Sequence, residues 1–356
     1  MDIKISKFHH IEQFRSVVRR VQETTRYIGL DDIGDPKFDN SIILPILTFI
    51  GTVKLHGSNG SFVRLNDGTT WVQSRENIIT PEQDNFGFAT FCRKHEKHLH
   101  TILDQLEYDK EIYYGAVIYG EWCGKGIQKN VGISQFDKMF VVFNIKLLAA
   151  DEDKNIWVSD DIVKEIVGQN NEARIYNVHL FETFKIDIDF TYPELATNKL
   201  IEITEQVEQE CPATKYFLQY NPIDNPITVG EGIVWHCNTP PYTGGAHTFK
   251  VKGQSHSVSK VKNLASVDIE RVNSIKECVE KIITENRMNQ GLDHLRENNL
   301  EIIPQNIGTF IKWVVSDAIR EELDTIIESG LDPKAIGGIA SKFARNWFFQ
   351  TTQINV

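Results

Sequence analysis

The sequence predicts an α+β fold in two parts: antiparallel sheets with helices over residues 1–262, then a small all-helical domain over 263–356. Three observations carry this prediction. Apolar segments of strand character, bounded by Gly, Pro, Asn and Asp, dominate the first half. Apolar residues at helical spacing take over after Val267. At 356 residues the chain is also long enough for two domains and a large buried core.

Taken in order, residues 11–24 form the first helical pattern, and residues 41–53, rich in Ile, Leu and Val, read as the first core strand. Residues 61–65 alternate and run into the turn signal Asn66-Asp67-Gly68, so residues 70–74 return as the partner strand of a hairpin. A helical pattern covers 82–106. Residues 111–121 and 139–148 are strands separated by a Gly-containing loop, and 232–236 and 248–252 complete the set. The last two are split by a loop with Pro-Pro and Gly-Gly pairs over 238–245. Asp268 is a good N-cap for a helix carrying Val272, Ile275, Val279, Ile282 and Ile283. A second helix carries Phe310, Ile311, Val314, Val315, Ile319, Leu323 and Ile326, with Gly330 placed to end it. A third shows Ile336, Ile339, Phe343 and Trp347. The stretch 26–40 ahead of the first core strand has no functional reading from sequence.

Composition excludes several classes. No apolar run approaches the roughly 20 residues needed to span a bilayer, and the opening MDIKISKFHH lacks the apolar core of a secretory signal. Five cysteines (Cys92, Cys123, Cys211, Cys237, Cys278) lie far apart with no CxxC pair. That pattern reads as reduced thiols in a cytoplasmic compartment and argues against structural zinc. A net charge of −11 is awkward for a nucleic-acid protein, so phosphate contacts would have to come from a local basic patch.

The candidate chemistry starts at Lys54, which opens Lys54-Leu55-His56-Gly57-Ser58-Asn59 at the end of an apolar strand. Alone, KxHG is a weak signal, and an exposed lysine before a turn explains it. Five further segments follow. They are Gln73-Ser74-Arg75, the run from Tyr119-Gly120-Glu121 through Gly124-Lys125-Gly126-Ile127-Gln128-Lys129-Asn130-Val131, then Phe140-Val141-Val142-Phe143-Asn144-Ile145, Glu231-Gly232-Ile233-Val234 and Phe249-Lys250-Val251-Lys252.

Together and in this order they resemble the covalent nucleotidyltransferase superfamily of ATP-dependent ligases and capping enzymes, most of all the RNA ligase 2 family of nick-sealing RNA ligases. Histidine in KxHG, the GxGIQKNV stretch and the helical tail select that branch over DNA ligases and capping enzymes. The resemblance covers residues 42–252 by motif. It implies a nucleotidyltransferase (ATP-grasp-like ligase) domain followed by the helical one, an AMP-forming ligase using ATP and Mg2+ or Mn2+, and Lys54 as covalent nucleophile. The implied partners are RNA ends, a nicked duplex or an RNA/DNA hybrid, with a monomer as the acting species. Capping guanylyltransferase, DNA ligase and a non-catalytic RNA-binding module of the same fold are the rival readings.

The remaining roles follow from chemistry and resemblance together. A lysine amine attacks phosphorus only when unprotonated, against an unperturbed pKa of about 10.4, so nearby cations and a metal are expected to activate it. Lys250 and Lys252 stand two apart on a strand and so share a face. Resemblance sets them on the α-phosphate, where they would neutralise developing charge. Resemblance also makes Glu231 the metal ligand and Glu121 the acceptor for a ribose hydroxyl; for each, a solvated surface carboxylate is the plain alternative. Phe143 would stack on adenine, or be an ordinary core residue. Val53, Gly57, Asn59 and Arg75 complete the implied ATP-binding set, with His56 either positioning pyrophosphate or bracing the turn. One departure stands out: after Glu231 the family commonly shows EGxVxK, and here His236 stands where the lysine is expected. A pH-dependent cation or a neutral hydrogen-bonded side chain would each account for it. Resemblance further assigns the helical domain to the duplex, through residues such as Lys334, Lys342 and Arg345, equally explained as a solvated helix face.

Overall fold

The computed structural model describes residues 4–240, 242–243, 245–257 and 275–352. The expected boundary at 262 and the Asp268 cap, with Val272, lie outside the described residues. By internal contacts the chain divides into two units: Met1–Ile11, Thr48–Ile186 and Glu202–Lys250 form one, and Glu12–Leu47, Asp187–Ile201 and Val251–Val356 the other.

The first unit is built on an eight-stranded sheet whose centre is the run Ser58–Leu65, Tyr113–Cys123 and Met139–Ala149, all antiparallel neighbours. The hairpin expected at Asn66-Asp67-Gly68 forms: Arg64 pairs with Thr70, and Gly68 takes the left-handed φ of +88° that the turn demands. Alternation sends Phe62, Ile118, Trp122, Phe140 and Ile145 to one face, where they pack with Phe88, Cys92, Leu99 and Val163 from the covering helices. The helical pattern over 82–106 resolves into two shorter helices, Phe88–Lys94 and Glu96–Asp104. Asp84 sets the later start, because its carboxylate accepts the N–H groups of Ala89 at 2.7 Å and Thr90 at 2.9 Å. In the smaller sheet Thr248–Lys252, Gly232–Cys237 and Ile46–Lys54 are successive neighbours. The expected strand over 41–53 begins only at Ile46.

Helices not anticipated from the sequence occupy Asp160–Val167, Glu194–Gln209 and Pro212–Leu218. All five cysteines are buried and free. No helix among the described residues is long and apolar enough to cross a membrane.

In the second unit the C-terminal helices Ile275–Ile282, Glu285–Glu297, Ile307–Glu328 and Pro333–Thr352 close around Met288, Leu295, Phe310, Val314, Ile326 and Phe348. The buried stripe of the last helix is Ile336, Ala340, Ala344 and Phe348, whereas Ile339 and Phe343, expected inside, are exposed. Small residues let the neighbouring helix approach there, and hydrophobicity alone does not show that. The Phe14–Arg26 helix belongs to the same unit and is held by charge. Arg15 donates to Glu322 at 2.9 Å and to the Glu321 carbonyl at 2.8 Å, with both side chains of the ion pair at most 5% exposed. The long helix departs from helical geometry at Glu322 (φ −113°, ψ 15°), and Arg15 supplies a donor at that kink. Residues 27–38 form a self-paired hairpin with Tyr27, Ile28, Leu30, Ile33 and Phe38 exposed.

Removing one partner of a buried ion pair strands the other charge, so Glu322→Ala should destabilise this unit by about 3–5 kcal/mol. Arg15→Met with Glu322→Leu should restore most of that loss. Urea unfolding of the three proteins measures both, and a double variant no more stable than Glu322→Ala would refute the charge-stranding account.

Candidate functional site

The two sheets of the first unit are joined where the strand ending at Lys54 turns through Leu55, His56 and Gly57 into the strand starting at Ser58. Lys54 lies opposite Gly232 in the antiparallel ladder, so Glu231, one residue earlier, arrives beside it. Lys54 Nζ donates to Glu231 Oε2 at 2.6 Å, and His56 Nδ1 stands 3.3 Å from the same oxygen. The Glu231 side chain is 1% exposed, and that of Lys54 21%. Gly57 donates its N–H to Glu121 Oε1 at 2.9 Å. A Cβ at Gly57 would fall 2.4 Å from the Trp122 carbonyl oxygen, so only glycine lets the turn lie this close to the strand. Asn59 sits directly across the ladder from Glu121 and shares its face.

Two carboxylates and one lysine thus compete at a largely buried site. Burial pushes the Glu121 carboxyl up to about 7; Lys54, His56 and the Gly57 N–H oppose the shift, and Glu231 adds to it. Burial pulls the Lys54 ammonium down, and Arg75 does too, but Glu231 and Glu121 outweigh them and hold it above the usual lysine value. The expectation that cations dominate around Lys54 is therefore reversed among the protein's own side chains. Glu231, 2.6 Å from the amine, and Glu121 raise its pKa more than Arg75 lowers it.

The other sequence candidates sit on the following elements. Arg75 follows the Thr70–Ser74 strand and is exposed, its Nε 3.9 Å from Glu76. The side chain of Val53 is 3% exposed and, by strand alternation, faces away from Lys54, so only its backbone borders the site. Lys250 and Lys252 are half-buried on one face of their strand, while Phe249 and Val251 enter the core on the other. Phe143 is half-buried against Phe8, ring centroids 4.9 Å apart and edge to face.

His236 is tied down. Its Nε2 lies 2.6 Å from Asp160 Oδ2, which also accepts from Asn238 at 3.2 Å, and His179 stands 3.8 Å away. Burial would raise the Asp160 carboxyl, but His236, His179 and Asn238 prevail and hold it well below the usual range. Asp160 was missed by sequence reasoning and no local signal marks it, since it stands 76 positions from His236.

Comparison with known proteins gives a family for the chain. The family model described as RNA ligase matches residues 47–252, more than half of the chain and all of the residues just described except those on the N-terminal segment. Among solved structures the chain is similar to an RNA ligase of Naegleria gruberi, in a variant with AMP and Mn: 17% identity, TM-score 0.44, covering 72% of this chain and 58% of that one. The same enzyme solved with PPi matches at 17% identity and TM-score 0.44 over the same shares. The chain thus spans less than two thirds of that enzyme's length.

Proposed function

This chain belongs to the RNA ligase family, and we propose that it is an ATP-dependent, AMP-forming enzyme that joins 3′-hydroxyl and 5′-phosphate RNA ends through a lysyl-AMP on Lys54. The observation that carries the reading is the meeting of Lys54, His56 and Glu231 at one carboxylate oxygen, with Glu121 held on the adjoining Gly57.

In this reading Lys54 Nζ attacks the α-phosphorus of ATP and pyrophosphate leaves. The AMP then passes to an RNA 5′-phosphate, and a 3′-hydroxyl displaces it to form the new bond. The first step needs the neutral amine, which the carboxylate environment disfavours. A negatively charged triphosphate must also enter beside two carboxylates. Both requirements call for positive charge.

Among the described residues no group of three or more His, Cys, Asp or Glu side chains is placed to hold a metal. The donor chemistry nevertheless fits Mg2+ or Mn2+, which characteristically use one or two carboxylates and complete their shell with phosphate oxygens and water. Glu231 would be the ligand, its Oε2 lying 2.6 Å from Lys54 Nζ and 3.3 Å from His56 Nδ1. A cation there would act as Lewis acid on the phosphates and weaken the hold of Glu231 on the Lys54 ammonium.

Glu121 is assigned to the ribose, Asn59 and Arg75 to ribose or phosphate, and Phe143 to the face of adenine. Lys250 and Lys252 are assigned to the α-phosphate. For Lys250, half-buried beside a core strand, alanine should leave the melting temperature nearly unchanged yet slow lysyl-AMP formation by about 10²–10³. Loss of activity in step with loss of fold would refute that role. Lys334, Lys342 and Arg345 are all exposed on the Pro333–Thr352 helix, as a duplex contact requires.

The test is direct. Protein incubated with α-labelled ATP and Mg2+ should retain acid-labile label and seal a nicked RNA duplex, with single-stranded and nicked DNA substrates as comparison. Label from GTP in place of ATP would point instead to a capping guanylyltransferase, and sealing of DNA alone to a DNA ligase.

A further inference from the structure

The N-terminal segment lies on the same sheet face as the nucleotide candidates and is fastened there residue by residue. Gln73, 1% exposed, grips the backbone of Ser6 from both sides: it accepts the Ser6 N–H at 3.1 Å and donates to the Ser6 carbonyl at 2.6 Å. The Tyr119 hydroxyl bonds Ser6 Oγ at 2.8 Å and donates to the same carbonyl at 3.0 Å. Lys7 pairs with Glu76, and its carbonyl accepts from the buried Lys146 ammonium at 3.3 Å. That ammonium stands over the Tyr119 and Trp157 rings. His9 closes the segment against Gly245, where any Cβ would fall 2.2 Å from its ring.

All of this fixes one side chain, Phe8. Its ring centroid is 5.3 Å from Tyr119, 5.1 Å from Trp157 and 4.9 Å from Phe143, the last two edge to face. Phe143 needs such support for a local reason. Tyr119 pairs with Asn144 while Gly120 pairs with Val142, so Phe143 is the extra residue of a β-bulge. A bulged residue loses the ladder contacts that set side-chain direction, and its orientation falls to packing.

We propose that Phe8 is a positioning residue for the nucleotide base, fixing the plane of Phe143 through their edge-to-face contact so that the Phe143 ring is set to receive the base. This rests on the assignment of Phe143 to adenine. The strap formed by Ser6–His9 is then part of the nucleotide site, although it lies outside the matched region 47–252.

An edge-to-face pair of this kind is worth up to about tenfold in a binding constant. The experiment is lysyl-AMP formation at varied ATP for wild type, Phe8→Leu, Phe143→Leu and the double variant, with Phe8→Tyr as the conservative control. Phe8→Leu should raise the KM for ATP about fivefold and leave kcat within about twofold, whereas Phe8→Tyr should restore the KM. In the Phe143→Leu background the Phe8 effect should vanish, because the two side chains act through one contact. An unchanged KM, or an effect of Phe8→Leu that persists in full without Phe143, overturns the proposal. So does a loss of kcat alone, which would mark a purely structural strap. Should wild type take no label at all, it is the lysyl-AMP reading that fails, a result separable from an additive cycle in an active enzyme.

Discussion

Lys54→Ala is expected to abolish covalent labelling by ATP altogether, because Lys54 is the amine held opposite Gly232, on the carboxylate oxygen of Glu231 that His56 also approaches. Lys54→Arg should fail as completely: a guanidinium could keep the ion pair to Glu231 but cannot be deprotonated to become a nucleophile. The pair of variants separates chemistry from fold. Alanine strands the buried Glu231 carboxylate and should lower the melting temperature, while arginine should largely preserve it. If the alanine variant retains acid-labile label, another residue is the nucleophile and the proposed mechanism is wrong.

The second large effect belongs to Glu231, and it has two opposite signs. Glu231 raises the pKa of Lys54 from 2.6 Å away. Glu231→Gln removes that charge while burial and Arg75 continue to pull the ammonium down. The amine of Lys54 should therefore lose its proton at lower pH than in wild type. In wild type the neutral fraction grows only as pH rises toward the raised lysine value, so amine-directed acylation of Lys54 should need alkaline pH. In the glutamine variant the same labelling should set in at lower pH. Lysyl-AMP formation should move the other way and fall by about 10²-fold or more, because the proposed metal ligand is gone. Peptide mapping of an acylating reagent across pH, beside the ATP assay, reads both. Equal acylation profiles would show that Glu231 does not control the Lys54 proton.

Glu121 adds a slower trend to the same picture. Its carboxyl is raised to about 7, so the folded protein holds a proton there that the unfolded chain releases near pH 4.5. The stability contribution of this group is accordingly greatest at acid pH and declines as pH climbs toward 7. A carboxyl so placed suits the ribose role proposed for it.

How much of this could be read from the chain alone divides along a physical line. Strand and helix type in the first sheet were legible because alternation and helical spacing record which face is buried, and the hairpin at Asn66-Asp67-Gly68 declared itself through residues that accept positive φ. The candidate residues Lys54, Glu121 and Glu231 stood out because they sit in short strings of recognisable order, and the structure sets Lys54 on Glu231 and Glu121 on Gly57. What the strings do not carry is net electrostatics. Only in three dimensions do two carboxylates outweigh Arg75 at the Lys54 amine, and only there does Asp160 claim His236. The helical pattern over 11–24 carried no sign of its partner, yet the buried Arg15 of the Phe14–Arg26 helix pairs with Glu322 of a C-terminal helix, 307 positions away in sequence. Likewise nothing near Phe8 announces Phe143. Periodicity reports the side on which a residue is buried, and motifs report which chemistry is on hand. Which distant group meets which is settled by how the elements pack, because a buried charge or ring takes its properties from neighbours that the local sequence does not contain.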